Sequence, residues 1–293
     1  NPGGAPGNVL ACLAHLNMKT AFMGKVGNDQ FGRFLNETLQ RIRIDTAGLI
    51  FSEQTNTTLA FIHLDSEGDR SFSFYRNPGA DMMLNEEEIN LKLIENTRIF
   101  HFGSISMTHE PCASATLKAV KFAKEKGKLI SYDPNLRIPL WQDIKHAKRM
   151  ILLGLQYADI VKISEEELEF ITGIKDLKEG SKYIYDLFQT KLIMITLGPN
   201  GSFYRRGEEI GKRPGRKVET VDTTGAGDAF LGGLLYQIVK NEQSITDLTV
   251  EKIEQMVDFA NVLGALVTLK KGAIPAMPTL EDIQYFIDNN DAI

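Results

Sequence analysis

Short apolar runs alternate with helical patterns along most of the 293-residue chain, and this alternation limits the possible folds more than any other feature. The strand-like runs are KTAFMGKV (19–26), RIFHFG (98–103), KLISYD (128–133), DIVKI (159–163) and KLIMITL (191–197). The helical patterns between them include NVLACLAHL (8–16), SATLKAVKFAKEK (114–126) and EELEFIT (166–172). Buried strands joined by helices form right-handed βαβ units, so this order predicts an α/β fold with a mostly parallel central sheet.

One segment breaks the alternation. Residues 57–76, TTLAFIHLDSEGDRSFSFYR, have the pattern of two strands around a turn at SEGD. Apolar residues lie on both faces of the first strand, with Leu59 and Phe61 on one face and Ala60, Ile62 and Leu64 on the other. Two apolar faces predict that each is covered in the assembled protein, one by a ligand beneath the hairpin and the other by a partner chain outside it. We therefore expect a catalytic body of residues 1–56 and 77–293 and a small β lid that also forms a homodimer; the alternative is that the hairpin joins the main sheet.

Charge and composition exclude several classes of partner. The net charge of −5 and the pI of about 5.7 provide no electrostatic basis for binding nucleic acid. There is no long basic run and no membrane-length apolar run, so we expect no association with a membrane. Cys12 and Cys112 have neither metal spacing nor a disulfide framework, which indicates a reducing compartment and predicts a cytoplasmic protein. The five histidines show no metal spacing and are interpreted as structural.

The segment DTTGAGDAF (222–230) combines small residues with an acid at the start of a predicted helix. We expect a strand to end near Val221, and the apolar face of the following helix is formed by Leu231, Leu234, Leu235 and Ile238. Gly225, Ala226 and Gly227 would then offer adjacent backbone N–H groups to an oxyanion or a phosphate. The field of the helix start would keep Asp228 ionised at neutral pH.

A carboxylate beside an anion-binding turn is the arrangement that phosphoryl transfer to an alcohol needs. Asp228 would accept the hydroxyl proton while the backbone amides hold the charge of the transferred group. The alternative is a glycine-rich turn in which Asp228 only caps the helix. A Rossmann fingerprint is disfavoured because Phe230 stands where it needs a small residue, and the Gly-Lys-Ser/Thr of a Walker A loop is missing.

Together with PGGAPGNVLACLAHLNMKTAFMGKVGNDQFG (2–32), the segment DTTGAGDAF resembles the two signatures of the ribokinase-like (PfkB) carbohydrate kinases. YDPNLRIPLW (132–141), VKISEEELEFITG (161–173) and KKGAIPAMP (270–278) resemble the fructokinase branch of that family in particular. The resemblance implies a three-layer α/β/α fold with a small β lid. It also implies ATP-dependent phosphorylation of a sugar's primary hydroxyl, in this branch D-fructose to fructose 6-phosphate, with Mg²⁺ and a monovalent cation such as K⁺.

The resemblance assigns roles to individual residues. Asp228 matches the catalytic base, and Gly225, Ala226 and Gly227 match the anion hole. The predicted sugar contacts are Gly3, Gly4 and Asn8, for which a turn capped by Asn8 is the alternative. The predicted nucleotide contacts are Lys162, Glu167, Thr196, Gly198, Gly201 and Asn261. Glu167 would act on Mg²⁺ through water, and Asp222 would line a monovalent-cation loop together with the backbone around Gly272 and Ala273.

Two further assignments come from the residues themselves. Arg76 and Arg137 are cations beside predicted strand ends, where they would hold substrate or phosphate; solvated surface arginines are the alternative. Ser164 and Glu167 have the spacing of a capping box, and Ser164 departs from the asparagine usual in the family.

The sequence leaves several alternative functions open and predicts a longer N-terminus. A 2-keto-3-deoxygluconate kinase, a ribokinase and a nucleoside kinase belong to the same class, whereas a non-catalytic sugar sensor and an NAD-dependent dehydrogenase belong to others. Family members begin with a strand that carries a sugar-binding aspartate before the GG…N motif. We therefore expect about 25–30 further residues before Asn1 in the natural protein.

Overall fold

A computed structural model describes residues 1–64 and 70–290 of the chain. The helices are α1 (Ala5–His15), α2 (Gln30–Arg41), α3 (Leu91–Glu95), α4 (Cys112–Glu125), α5 (Ile144–Leu155), α6 (Glu165–Thr172), α7 (Leu177–Phe188), α8 (Ala226–Lys240), α9 (Val250–Leu266) and α10 (Leu280–Asn290). The strands are β1 (Thr20–Gly27), β2 (Ile44–Ser52), β3 (Leu59–Leu64), β4 (Arg70–Tyr75), β5 (Ile99–Gly103), β6 (Leu129–Asp133), β7 (Ile160–Ser164), β8 (Leu192–Thr196), β9 (Ser202–Arg206) and β10 (Glu209–Arg213). Within the described ranges, no helix combines the length and the hydrophobicity needed to cross a membrane.

The main sheet has six strands in the order β10-β9-β8-β7-β6-β5. The strands from β5 to β8 run parallel to their neighbours, and β9 and β10 are added in antiparallel orientation. Two smaller sheets accompany it, the parallel pair β1-β2 and the antiparallel hairpin β3-β4. The predicted α/β fold with a mostly parallel central sheet is confirmed.

Helices cover both faces of the main sheet, which explains why its inner strands are almost continuously apolar. Along β8, Ile193 and Ile195 pack with the core formed by α4, α5, α6 and α7, whereas Leu192 and Met194 pack with α1, α8 and α9. Alternate side chains of a strand point to opposite faces, so one short run of branched residues serves two hydrophobic cores. The result is three layers of helix, sheet and helix.

The strand predicted to end near Val221 is absent. Residues 214–222 contain no strand, because β10 ends at Arg213 and is followed by Pro214 and Gly215. The backbone amides of Val221 and Asp222 both donate to the carbonyl of Thr268, so the segment is held by a contact between loops and not by a strand ladder. Proline removes one donor and restricts the residue before it, which disfavours extension of β10 into this segment.

The hairpin predicted at residues 57–76 is present, and among the described residues its strands pair only with each other. The alternative in which it joins the main sheet is therefore wrong. Phe61 and Tyr75 are 48% and 71% exposed, and their rings meet edge to face at 5.4 Å. The SEGD turn and the side chains of Ile62 and Leu64 lie outside the described residues. The function of the hairpin as a lid stays a prediction.

Candidate active site

The candidate site forms where the carboxyl ends of β6 and β7 meet the first turns of α1 and α8. Asp133 is the last residue of β6 and Lys162 lies in β7, whereas Asn8 and Asp228 come from the two helices. Parallel strands direct their carboxyl ends to one edge of a sheet, where open α/β sheets bind ligands. Asn8 donates from Nδ2 to Asp228 Oδ2 at 2.7 Å, and Lys162 donates from Nζ to Asp133 Oδ2 at 2.9 Å. The fold thus joins two signatures that lie at opposite ends of the chain.

The start of α8 has the backbone that the glycine-rich segment predicts. Gly225 caps the helix with φ of 84°, a left-handed conformation that favours glycine. A Cβ atom on Gly227 would lie 2.8 Å from Lys162 Nζ, so the absence of a side chain lets the ammonium reach the first turn. The amide of Ala226 donates to the carbonyl of Thr223 at 3.2 Å, and this predicted anion donor is therefore engaged inside the loop.

The pKa of Asp228 depends on more than the field of the helix start. Burial and the nearby Asp133 carboxylate raise the pKa of Asp228 to about 6, against the opposing effects of Asn8, Lys162 and Arg137. Desolvation and a like charge therefore outweigh the dipole of the helix start, which the sequence alone does not show. At pH 7 the carboxylate form still dominates by about ten to one. A base with a pKa close to neutral pH is well matched to general base catalysis.

Lys162 and Asp133 form a buried ion pair beside this base. Their side chains are 9% and 2% exposed. Burial by itself lowers the pKa of Lys162, but Asp133, Glu167 and Asp228 outweigh burial and raise it above its ordinary value, so the ammonium stays charged. Asp133 is a site residue that the motifs did not predict. Its place directly after a buried strand, in YDPNLR, is the signal that could have identified it.

Glu167 combines a structural contact with a place close to the charged cluster. Ser164 and Glu167 form the predicted capping box, in which Glu167 Oε2 accepts from the Ser164 amide at 2.9 Å. The other oxygen, Oε1, accepts from the amide of Leu136 at 2.7 Å. Burial and the nearby Asp133 raise the pKa of Glu167. The capping function is confirmed, and the magnesium function of the same carboxylate stays a prediction.

On the predicted sugar side of the site, the side-chain oxygen of Asn8 has no hydrogen-bond partner among the described residues. Asn8 lies in the first turns of α1, which follows Gly4 with φ of 131°. Its Oδ1 atom is buried. A Cβ atom on Gly3 would lie 3.9 Å from this oxygen, so Gly3 borders the same space. Asn8 is a member of α1, not the cap of a turn.

The two arginines have different environments. Arg76 is held inside the protein, where it donates to Asp81 at 2.7 Å, to Thr108 at 3.0 Å and to the carbonyl of Ile105 at 3.2 Å. These contacts are structural, and binding of substrate by Arg76 stays a prediction. Arg137 is exposed, and its charge lowers the pKa of Asp228, which places it on the open side of the site.

The predicted nucleotide residues outside the charged cluster also lie together. Asn261 of α9 donates to the carbonyl of Pro214 at 3.2 Å and accepts from Ser202 at 3.1 Å. The β8–β9 connection supplies the rest: Thr196 at the end of β8, Gly198 with φ of 55° and Gly201 with φ of 94°. Because protein groups use the amide of Asn261, it holds these segments together, and its contact with adenine stays a prediction.

The predicted cation loop is connected by Asp222. Its Oδ1 accepts from the amide of Thr224 at 2.8 Å, and its Oδ2 accepts from the amide of Gly272 at 3.0 Å. One carboxylate therefore holds the two segments that the resemblance pairs. Its interaction with a cation stays a prediction.

Comparison with known proteins agrees with this geometry. The model of the pfkB family of carbohydrate kinases matches residues 1–280. The chain belongs to this family. Fructokinase-1 of Zea mays is 46% identical over 289 residues, which cover 98% of this chain and 88% of the maize protein. Fructokinase-1 of Oryza sativa subsp. japonica is 47% identical over 280 residues, which cover 95% of this chain and 85% of the rice protein.

Solved structures of this pfkB kinase fold also align with nearly the whole chain. The fructokinase of Vibrio cholerae O395 with fructose, ADP and calcium aligns with a TM-score of 0.89 and 36% identity, covering 97% of this chain and 90% of that one. The fructokinase of Xylella fastidiosa with bound ATP aligns with a TM-score of 0.90 and 32% identity, covering 99% and 91%. The ribokinase-like architecture and the carbohydrate-kinase activity expected from the resemblance are confirmed.

Proposed function

We propose that this pfkB kinase is a fructokinase, which transfers the γ-phosphoryl group of ATP to the 6-hydroxyl of D-fructose. The hydrogen bond of 2.7 Å between Asn8 and Asp228 carries the proposal, because it joins a sugar-recognising amide to a general base. The similarity to fructokinases from plants and bacteria supports the choice of sugar.

Asp228 acts as the general base in this proposal. It accepts the proton of the sugar hydroxyl while that oxygen forms a bond to the γ-phosphorus and the bond to the bridging oxygen of ADP breaks. The free Oδ1 of Asn8 is available to accept from a second sugar hydroxyl. A buried amide oxygen without a partner costs free energy, so a bound sugar would remove that cost.

The transferred phosphoryl group would lie at the start of α8. The partial positive charge of a helix start and the Lys162 ammonium both attract an anion at this place. Gly227 allows the ammonium and the helix backbone to act on the same group. The carboxylate for the hydroxyl and the cation for the phosphate therefore lie side by side.

Mg²⁺ and K⁺ belong to the proposal as bound cations. No group of three or more His, Cys, Asp or Glu side chains within residues 1–64 and 70–290 could hold a metal by itself. Kinase magnesium is commonly held by one or two carboxylates together with substrate phosphates, and the carboxylate-rich cluster around Glu167 fits this mode. When bound, the ion neutralises phosphate charge. Asp222 and the Gly272 segment would hold K⁺.

The hairpin β3-β4 would close over the sugar and form a homodimer. Exposed aromatic rings at Phe61 and Tyr75 support a partner surface, since isolated proteins seldom leave adjacent large apolar groups in solvent. Closure would exclude water, which otherwise competes with the sugar for the phosphoryl group.

A coupled assay tests the proposed substrate. Phosphoglucose isomerase and glucose-6-phosphate dehydrogenase convert fructose 6-phosphate, but not fructose 1-phosphate, into an NADPH signal. We expect ATP- and fructose-dependent signal from the wild type, and little ATP consumption with ribose, 2-keto-3-deoxygluconate or adenosine. Preference for one of those three acceptors would assign the protein to another branch, and ATP inertness with every acceptor would indicate a sugar sensor.

The variant Asp228→Asn tests the assignment of Asp228 as the general base. We expect kcat to fall by about two orders of magnitude or more, because the amide cannot take the proton. ATP affinity measured by calorimetry should stay close to that of the wild type. Turnover near the wild-type value would contradict the assignment of Asp228.

A further inference from the structure

The Lys162 ammonium lies in a place where burial and the helix field by themselves would disfavour a cation. Lys162 Nζ reaches the first turn of α8, where the partial positive charge of the helix repels a cation. Its side chain is also 9% exposed, so the charge has lost most of its water. A compensating group must hold it there, and within the described part of the chain the hydrogen bond of Nζ goes to Asp133 Oδ2 at 2.9 Å.

Asp133 is itself fixed in position. It ends β6, where the sheet ladder with β5 reaches Gly103. One carboxylate oxygen, Oδ1, accepts from the amide of Asn135 at 3.1 Å, which leaves Oδ2 for Lys162. Because the backbone of Asn135 holds Oδ1, Oδ2 has a defined position and can fix the ammonium of a flexible lysine side chain.

We propose that Asp133 is a positioning residue that holds the Lys162 ammonium at the start of α8, where the phosphoryl group to be transferred would bind. The proposal rests on the proposed kinase reaction. Asp133 would touch neither sugar nor phosphate, and it acts through Lys162.

The same arrangement affects the base. Five side chains face or influence Asp228: Asn8 and Cys12 from α1, Asp133 from β6, Lys162 from β7 and Arg137 from the segment after β6. Asp133 raises the pKa of Asp228, whereas Lys162 lowers it. Removal of the negative charge at residue 133 should therefore move the acid limb of the pH profile to lower pH, a direction that general damage to the fold would not produce.

Asp133→Asn is the decisive variant, with Asp159→Asn as its matched control. Asp159 is a buried aspartate that pairs with Lys124 at 3.0 Å and Lys191 at 3.2 Å, just before the opposite end of β7. For Asp133→Asn we expect the affinity for ATP to weaken about tenfold. We also expect the acid limb of the kcat/KM profile to shift to lower pH by about one unit. For Asp159→Asn we expect lower thermal stability with unchanged ATP affinity and an unchanged acid limb.

A second pair of variants keeps the test decisive if Asp133→Asn does not fold. These are Lys162→Met and the double variant Asp133→Asn with Lys162→Met, of which the double variant removes both charges of the buried pair. Without Lys162, Asp133 can only repel phosphate, so its removal should leave ATP affinity unchanged or improve it. Equal weakening of ATP binding with and without Lys162 would overturn the proposal, as would an acid limb that does not move in Asp133→Asn.

Calorimetric ATP binding without sugar separates this inference from the proposed substrate. A wild type that binds ATP but does not phosphorylate fructose would refute the fructokinase function alone. The dependence of ATP affinity on Asp133 and Lys162 can still be measured in that protein, and its absence would refute the positioning function.

Discussion

Removal of the Asn8 amide should change the pH at which this kinase works. Asn8 donates to Asp228 at 2.7 Å, and this bond lowers the pKa of a carboxylate that burial raises to about 6. A hydrogen bond to a charged group contributes about 1.5–3 kcal/mol, and a pKa unit corresponds to about 1.4 kcal/mol. In Asn8→Ala the pKa of Asp228 should therefore rise by about one to two units, to about 7–8.

The consequence for activity follows from the fraction of ionised base. At pH 7 that fraction falls from about nine tenths to between about one half and one tenth, so kcat/KM for fructose should fall about two- to tenfold from this effect alone. The loss is recovered as the pH rises above the new pKa. Lost sugar contacts of Asn8 add a reduction that does not depend on pH.

Initial rates between pH 5.5 and 9 at saturating ATP would measure the shift of the acid limb against the wild type. Asn261→Ala is the matched control, because Asn261 is also a buried asparagine, and its amide makes two hydrogen bonds on the nucleotide side of the site. Its acid limb should coincide with that of the wild type. An Asn8→Ala profile that is lower at every pH but has an unmoved acid limb would refute the reasoning.

Two more perturbations follow from the structure. Gly227→Ala places a Cβ atom 2.8 Å from Lys162 Nζ, so displacement of the ammonium should raise KM for ATP about tenfold. The control Gly7→Ala, whose Cβ would have no atom within 4 Å, should leave KM for ATP unchanged. Equal KM values in the two variants would contradict this effect. Phe61→Ser should convert the dimer to monomer in sedimentation and raise KM for fructose, while Tyr285→Ser, on an exposed position of α10, should do neither. Persistence of the dimer in Phe61→Ser would exclude this residue from the interface.

The sequence by itself determined the features that depend on neighbouring residues. The runs at β5, β6, β7 and β8 were recognisable because strands buried on both faces need continuous apolar residues. The capping box of Ser164 and Glu167 needs only two residues three positions apart. The glycine-rich start of α8 indicated an anion site, and the paired signatures indicated the family.

Only the tertiary structure decided how distant segments act on one another. Asn8 and Asp228 are 220 positions apart, and Asp133 and Lys162 are 29 apart, so no local pattern could pair them. The helix field predicted an Asp228 that is ionised at neutral pH, but not that burial and Asp133 raise its pKa to about 6, because a pKa depends on every charge and every solvent-excluding group around it. The segment before Val221 likewise is a loop, because β10 ends at Arg213 before Pro214 and the amides of Val221 and Asp222 donate to the carbonyl of Thr268. Periodicity reports which face of an element is buried, whereas the partner against which it is buried depends on the packing of the whole chain.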